Sequence, residues 1–382
     1  MTRAELDILL LPEVAAAVRE NIERDPMRIA LDKSLPHARE VATQVKYLQR
    51  AKRKLPRLYE ACGIIPSRAF EQSSSEECAL SKRIGGKSLL DLTCGLGMDA
   101  VALAQRFERV VALERDEVLA DVTRENMRRM GVVNVEVVTT SAEEYLASAT
   151  DHFDWIYVDP DRRNDKGERV FKLEDCSPNI LALMSDIRRV SSRLAVKNSP
   201  LFDVEEAFRL FPHAEVEVVS LHDECKEVVI YADGREPMIS ATAVGRGRVE
   251  FMREDLAPVA SPDGFALDEY RYMVIPDVAL LKARIVEWAL QGKADVWSNN
   301  SFGFARELPE GVLGRVEPIT RIEPFDIRSL KREMKGKGVD IILRDFPMGV
   351  DELRKRMGAR SGSEKRIALT RIAGKSYTIF LE

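Results

Sequence analysis

The arrangement of apolar residues between positions 88 and 197 limits this chain to one class of fold. Short apolar runs rich in β-branched residues alternate there with stretches whose apolar residues recur every three or four positions. The runs cover 88–92, 109–113, 135–138, 155–158 and 193–197, and the helical stretches cover 98–106, 118–130, 141–148 and 178–190. Strands that alternate with helices predict an α/β fold with a parallel sheet and crossover helices.

Two more apolar runs, at 214–221 and 227–231, follow this pattern. Only a short turn around 222–224 separates them, and a turn of that length cannot hold a crossover connection. The sequence therefore predicts five parallel strands followed by an antiparallel pair.

The chain divides into four predicted parts. Residues 1–85 show helical spacing with proline breaks and predict a helical N-terminal domain. The sheet pattern assigns 86–235 to a second domain, and 236–315 predicts a connecting α+β region. Residues 316–382 repeat the alternation as βαβαββ, which predicts a small basic α+β module.

Charge is distributed unevenly between these parts. Residues 321–382 hold 15 Lys and Arg against 9 Asp and Glu, a net charge of +6, although the whole chain carries −5. A second basic stretch, 41–59, contains no acid. Its cations are Lys46, Arg50, Lys52, Arg53, Lys54 and Arg57. Such stretches predict either contact with phosphates or a solvated face.

Several classes of protein are disfavoured. None of the five cysteines lies in a Cys-x-x-Cys pair and the four histidines are scattered, so we expect no disulfide framework and no metal site. We also expect no secretory signal, because Asp7 interrupts the apolar run 6–11 and Pro12 ends it. No run approaches the ~20 apolar residues that span a bilayer. These features favour a cytoplasmic protein.

The strongest chemical motif lies where the first predicted strand ends. Its predicted ligand-binding residues are Asp91, Thr93, Cys94, Gly95, Gly97 and Asp99. The glycines let the backbone turn tightly and approach a ligand closely. The spacing also fits a dinucleotide site, but a carboxylate at Asp91 would repel a pyrophosphate. It would attract the sulfonium and ammonium groups of S-adenosylmethionine, so we favour that cofactor over a dinucleotide or a purely structural turn.

Residues after the next two strands extend the predicted cofactor site. Glu114 ends the second strand, where its carboxylate can accept hydrogen bonds from both hydroxyls of a ribose. An exposed acid at the end of a strand is the alternative. Ser141-Ala142-Glu143 follows the third strand, where an adenine amine would be met, so Ala142 is assigned to the cofactor site. The same tripeptide is also typical of an ordinary helix start.

The fourth strand ends in Asp159-Pro160, the predicted catalytic pair. The Asp159 carboxylate and the Pro160 carbonyl can each accept a hydrogen bond from an exocyclic amine, which would turn the nitrogen lone pair toward a methyl donor. An ordinary Asp-Pro turn is the alternative. Arginine can hold a phosphate or stack on a base. The predicted substrate-binding residues are Arg162, Arg163 and Lys197.

Together, these motifs and the predicted strand order resemble class I S-adenosylmethionine-dependent methyltransferases. Segment 91–99 is similar to the corresponding motif of guanine-amine RNA methyltransferases. Segment 70–79 occupies the place of the segment that folds over the cofactor in those enzymes, and on this basis Gln72 and Ser74 are assigned to the cofactor site.

Nearly the whole chain resembles a bacterial methyltransferase family with a THUMP-like C-terminal domain. Segments 71–77, 159–163 and 224–227 carry this resemblance, together with the C-terminal module. The resemblance implies a Rossmann-like sheet, S-adenosylmethionine as the cofactor and RNA as a partner.

The sequence therefore predicts S-adenosylmethionine-dependent methyl transfer to a nucleotide base in RNA. Covalent catalysis through a thiolate is disfavoured, because no cysteine occurs in 196–200 at the end of the fifth strand. Two other interpretations stay open. One is a small-molecule or protein methyltransferase whose C-terminal module dimerises, and the other is a non-catalytic RNA-binding protein that keeps the fold.

Overall fold

The computed structural model describes residues 1–162 and 172–382. The chain forms two compact units. The first unit holds Met1–Glu215 and Glu227–Glu236, and the second holds Val216–Lys226 and Pro237–Glu382. No helix in the described ranges is long and apolar enough to cross a membrane.

The first unit begins with short helices. They are α1 (Arg3–Leu10), α2 (Pro12–Glu20), α3 (Pro26–Ala30), α4 (Ala38–Lys54), α5 (Pro56–Glu60), α6 (Ser67–Gln72) and α7 (Glu76–Ser81). Proline starts three of these helices, where its missing N–H removes no helical hydrogen bond. The helical N-terminal region is thus confirmed, and Pro56 divides the basic stretch 41–59 between α4 and α5.

The sheet and its helices follow. The strands are β1 (Gly86–Asp91), β2 (Phe107–Glu114), β3 (Val135–Thr139), β4 (Trp155–Val158), β5 (Leu194–Asn198), β6 (Glu215–Leu221) and β7 (Glu224–Ala232). The helices are α8 (Met98–Leu103), α9 (Glu117–Arg129), α10 (Ala142–Ser148), α11 (Met184–Val190) and α12 (Val204–Leu210). The first unit arranges its strands in the order β3-β2-β1-β4-β5-β7.

The pairing in this sheet confirms the predicted α/β topology. Strands β1 to β5 are parallel, whereas β7 runs antiparallel to β5. His222 and Asp223 take left-handed conformations with φ of 52° and 62° and form the turn before β7. Because parallel strands end at a common edge, Asp91 lies beside Ala112 of β2 and Tyr157 of β4.

Two buried side-chain amides hold the segment that precedes α6. Asn126 of α9 accepts a hydrogen bond from Ile64 N at 2.7 Å and donates one to Ile64 O at 2.8 Å. Gln44 of α4 bonds the backbone of Ile65 in the same way, at 2.9 and 3.3 Å. Extended backbone that belongs to no sheet is thus satisfied without water, and the start of α6 is fixed.

The second unit contains β6 and a second sheet. Its other elements are β8 (Met238–Ala243), β9 (Gly247–Met252), β10 (Tyr272–Pro276), α13 (Val278–Ala283), α14 (Val286–Ala289), β11 (Gly303–Ala305), β12 (Gly314–Pro324), α15 (Ile327–Met334), β13 (Gly338–Leu343), α16 (Val350–Met357), β14 (Arg360–Ile372) and β15 (Lys375–Leu381). The six-stranded sheet has the order β11-β10-β12-β15-β14-β13.

The C-terminal part of this unit has the predicted βαβαββ order. Leu330 and Met334 of α15, with Leu353 and Met357 of α16, pack in one buried cluster that also includes Ile367 of β14. Buried residues four positions apart leave the opposite face of each helix exposed. Strands β10 and β11 continue the same sheet, and position 316 lies inside β12. The four-part domain division therefore stays a proposal.

Candidate functional site

The first unit contains a cavity of about 880 Å³ beside the carboxyl ends of β1, β2 and β4. It is lined by most of the predicted site residues: Gln72, Ser74, Thr93, Cys94, Gly95, Gly97, Asp99, Glu114, Ala142, Asp159, Pro160 and Arg162. Asp91 and Lys197 are buried next to residues of this wall, and Arg163 falls outside the described residues. Segments more than 80 residues apart in sequence thus meet at one place, while their individual roles stay predictions.

The two glycines of the turn serve different purposes. Gly97 has a φ of 81°, and a Cβ there would lie 2.7 Å from Met127 Cε and 2.8 Å from Thr123 Cγ2. Gly95 has a φ of 53°, and a Cβ there would meet no described atom within 4 Å. Gly97 therefore allows α8 to pack closely, and Gly95 leaves open space in which a ligand can approach the backbone.

Glu114 is held in place by the glycine turn. Its carboxylate accepts hydrogen bonds from Gly95 N at 2.9 Å and from Asp116 N at 2.8 Å, one on each oxygen. Burial raises its pKa more than these two N–H groups lower it. Since a carboxylate has about four lone-pair positions, each oxygen can accept one further hydrogen bond, as a ribose diol requires.

Asp91 is almost fully buried, with 1% of its surface exposed. Its carboxylate accepts a hydrogen bond from Thr93 N at 2.9 Å. Burial, together with the nearby carboxylates of Asp99, Asp159 and Glu114, raises its pKa to about 8 despite that bond. Asp91 therefore holds a proton at neutral pH and would release it to water when a cation binds in the cavity.

Asp99, in the first turn of α8, is joined to a buried lysine. Lys82 is 1% exposed, and its Nζ lies 2.7 Å from Asp99 Oδ1 and 3.1 Å from Glu227 Oε1. Ser74 Oγ donates to Asp99 Oδ2 at 2.7 Å. Burial alone would raise the pKa of Asp99, but attraction to Lys82 and Lys197 outweighs it and lowers that pKa.

Sequence reasoning assigned no role to Lys82 or Glu227. A lysine at the end of a helical region looks like a surface cation, and its partner lies 145 positions further along the chain. The only sequence signal was the Glu224–Glu227 segment of the family resemblance, which carried no assigned chemistry.

A second ion pair holds the predicted catalytic residue. Lys197 Nζ donates a short hydrogen bond to Asp159 Oδ2 and lies 3.8 Å from Asp99 Oδ2. The backbone N–H of Asp159 donates to Thr93 Oγ1 at 2.7 Å. The side chain of Lys197 is only 9% exposed, so this geometry supports holding Asp159. Direct substrate contact by Lys197 stays a prediction.

The cavity wall also includes Ala142 and Cys176. Ser141 Oγ accepts a hydrogen bond from Glu144 N at 3.1 Å, so Ser141 begins α10 as an ordinary helix cap while Ala142 lines the cavity. Cys176 also lines it, but burial raises its pKa to about 11, and a protonated thiol is a poor nucleophile. Among the described residues, no group of three or more His, Cys, Asp or Glu could hold a metal ion.

Comparisons with known families identify two regions of the chain. Residues 89–164 match the family described as a methyltransferase domain. Residues 314–382 match the family described as THUMP domain-like. The first match covers the cavity strands, and the second begins at the first residue of β12.

Similar proteins agree with these matches. An uncharacterized S-adenosylmethionine-dependent methyltransferase of Mycobacterium tuberculosis is 24% identical over 81% of this chain and 84% of its own length. Ribosomal RNA small subunit methyltransferase J of Francisella philomiragia is 35% identical over 23% of this chain and 42% of its own length. The crystal structure of a candidate methyltransferase from Porphyromonas gingivalis W83 has a TM-score of 0.82 and 28% identity, covering 99% of this chain and 98% of that one.

Replacing Glu114 by Ala should weaken S-adenosylmethionine binding. A hydrogen bond to a charged group contributes about 1.5–3 kcal/mol, which corresponds to roughly a 10- to 100-fold higher Kd. Isothermal titration calorimetry measures this change. Glu108→Ala, which removes an exposed acid from the same strand, is the matched control and should leave Kd unchanged. Equal affinity in both variants would exclude Glu114 from the cofactor site.

Cofactor binding at pH 7 should release close to one proton. Asp91 has a pKa of about 8 in the free protein, and a bound cation favours its ionised form. Affinity should therefore rise with pH from 6 to 7.5. Calorimetry in two buffers of different ionisation enthalpy counts the proton. Asp91→Asn should release none, and a wild-type protein that releases none would show that Asp91 does not respond to the cofactor.

The cavity suits a ligand that carries a ribose and cationic groups. It combines the glycine turn, the acidic residue at the end of β2 and several nearby carboxylates. The family matches cover the cavity strands and strands β12 to β15 of the C-terminal sheet. These findings favour an enzyme over the non-catalytic alternative. The chain is an S-adenosylmethionine-dependent methyltransferase with a THUMP-like C-terminal domain.

Proposed function

We propose that this enzyme methylates a nucleotide base in RNA in the cytoplasm. One observation carries the proposal: Asp159 and Pro160 line the same cavity as Gly95 and Glu114. An acceptor nitrogen held by the first pair would lie next to a cofactor held by the second. Positioning of this kind is the main requirement of a methyl transfer between two bound partners.

The residues around the acceptor can hold an amine without acting as a strong base. S-adenosylmethionine supplies a methyl group activated by its positive sulfur. Asp159, paired with Lys197, accepts a hydrogen bond from one amine N–H, and the Pro160 carbonyl accepts the other. The lone pair of the nitrogen is then directed into the cavity, toward the position of the methyl group.

RNA as the substrate is supported by the relatives and by charge. One relative acts on small-subunit ribosomal RNA according to its name, and the C-terminal domain is THUMP-like. Lys331, Arg332 and Lys335 at α15, with Lys355 of α16, are exposed and have no ion-pair partner within the described part of the chain. Since both helices pack in one cluster, these cations can meet a phosphate backbone together.

The basic stretch 41–59 supports the proposal less than its sequence indicated. Lys52 pairs with Glu23 at 2.9 Å and Arg50 with Glu71 at 2.7 Å. Lys54 Nζ donates to Phe70 O at 2.6 Å. Two acids and a carbonyl from other segments of the first unit therefore pair with cations that have no acid near them in sequence. The C-terminal cations are the better candidates for phosphate contact.

Loss of the gene should remove one methylated nucleoside from cellular RNA, and Asp159→Ala should not restore it. Mass spectrometry of nucleosides from total RNA compares the deletion strain with strains that express the wild type or the variant. Calorimetry should show that Asp159→Ala binds S-adenosylmethionine within a few-fold of wild type. An unchanged nucleoside profile in the deletion strain contradicts an RNA substrate, and restoration by the variant contradicts the role of Asp159.

Removing two exposed cations of the C-terminal domain should flatten the salt dependence of RNA binding. Each phosphate contact on a single strand contributes about 0.7 to the slope, so Lys331→Ala with Lys355→Ala should lower it by about 1.4. Filter binding at several salt concentrations measures the slope. Substitution is preferable to deleting 321–382, because the deletion would cut through β12 and remove β13 to β15 from the six-stranded sheet.

The matched control for this experiment is Arg128→Ala with Arg209→Ala. Both arginines are exposed and each is paired with an acid of its own helix, at 2.8 and 2.5 Å. The control should keep the wild-type slope and cofactor affinity. An unchanged slope combined with altered sedimentation in the C-terminal variant would favour a dimerisation module, and a wild type without RNA affinity at low salt would exclude RNA.

A further inference from the structure

Two buried lysines lie behind the cavity wall, where ionised groups are costly. Lys82 and Lys197 are 1% and 9% exposed, and both keep their charge, because attraction to nearby carboxylates outweighs burial and raises the pKa of each. Buried ion pairs contribute little stability compared with apolar residues of similar size. Their presence at the wall therefore calls for a role beyond folding.

The contacts of Lys197 connect the two halves of the site. Its ammonium lies between Asp159, at the predicted acceptor position, and Asp99, which lines the cofactor cavity. Asp99 is fixed in turn by Lys82 at 2.7 Å and by the hydroxyl of Ser74 at 2.7 Å. A continuous series of polar contacts thus runs from the segment after α6 to the carboxyl end of β4.

Without Lys197, Asp159 would have no ion-pair partner among the described residues. The carboxylates of Asp91 and Asp99 interact with each other across the same buried region, and Asp91 is also affected by the charge of Asp159. The side chain of Asp159 is 22% exposed, so it has a route to water. Repulsion would turn the carboxylate outward, away from the place where an acceptor amine must be held.

We propose that Lys197 is a positioning residue of the methyl transfer: it holds the Asp159 carboxylate toward the acceptor and links it through Asp99 to Ser74 beside the cofactor. This inference rests on the proposed role of Asp159 as the hydrogen-bond acceptor for the amine. Lys197 acts through Asp159 and stays protonated throughout.

Steady-state kinetics test the inference with RNA from the deletion strain and S-adenosylmethionine labelled in the methyl group. Lys197→Met should lower kcat by about 100-fold, the effect of misplacing a reacting group by about 1 Å. The KM for S-adenosylmethionine should stay within about threefold, since uniform binding is not altered. A fall in cofactor affinity as large as the fall in kcat would overturn the proposal, because Lys197 would then support the cofactor wall.

A double-mutant cycle separates positioning from a general structural effect. In the background of Asp159→Asn, Lys197→Met should cost less than about a threefold further loss of kcat, because residues that act as a unit are not additive. The same 100-fold loss in both backgrounds would overturn the proposal. Lys197→Gln, which is polar and uncharged, replaces the Met variant in the cycle if that variant does not fold.

Arg129→Met is the matched control for the loss of an ion pair. Arg129 pairs with Glu125 at 2.7 Å, both side chains are 17% exposed, and Arg129 is not among the described residues that line the cavity. It should keep the wild-type kcat, and its addition to Asp159→Asn should cause no further loss of kcat. A drop in kcat equal to that of Lys197→Met would show that any lost ion pair has this effect and would overturn the proposal.

A spectroscopic measurement tests the contact without any acceptor. In protein labelled with ¹⁵N at lysine, the buried ammonium groups of Lys82 and Lys197 should be protected from exchange with water. Asp159→Asn should remove the protection of Lys197 and leave that of Lys82. An unchanged Lys197 signal would overturn the proposal whatever the substrate is, whereas a wild type that is inactive on RNA in the kinetic assay would contradict only the proposed function.

Discussion

The site depends on buried positive charge. Several carboxylates lie close together where β1, β4 and the start of α8 meet, and in a region of low dielectric they cannot all ionise without cations among them. Lys82 and Lys197 supply these cations, and the pKa of Asp99 is lowered as a result. Asp91 has no cation at hydrogen-bond distance among the described residues, and its pKa is raised to about 8. One more positive charge at the wall would therefore be favourable, and a cationic cofactor can supply it.

Local sequence patterns were sufficient to predict which residues form the cavity wall. The motif around Asp91 and Gly97, the acid Glu114 and the pair Asp159-Pro160 each lie where a predicted strand ends, and parallel strands bring those ends to one edge. The sequence could not show what lies behind the wall. The contact between Lys82 and Glu227 joins positions 145 apart, and no local periodicity encodes such a pair.

Contacts between residues far apart in sequence also explain why the basic stretch 41–59 differs from its prediction. Its composition predicts a free cationic surface, but Lys52 meets an acid 29 positions away and Arg50 meets Glu71. In the second unit, β10 has five residues and β11 has three. Strands this short carry almost no pattern of their own. Only their pairing identifies them: β10 pairs with β12, about 40 residues later in the chain, and β11 pairs with β10.

Acidic and basic residues are concentrated in different parts of the chain, and each group suits a different ligand. A cavity wall rich in carboxylates suits a cationic cofactor, but the same charges repel the phosphates of a nucleic acid. Exposed charges act only within about 10 Å at 0.1 M salt. Cations gathered elsewhere can still bind a polymer at other phosphates along its length. For the proposed RNA substrate, the exposed lysines and arginine of α15 and α16, which have no ion-pair partner among the described residues, are such a group.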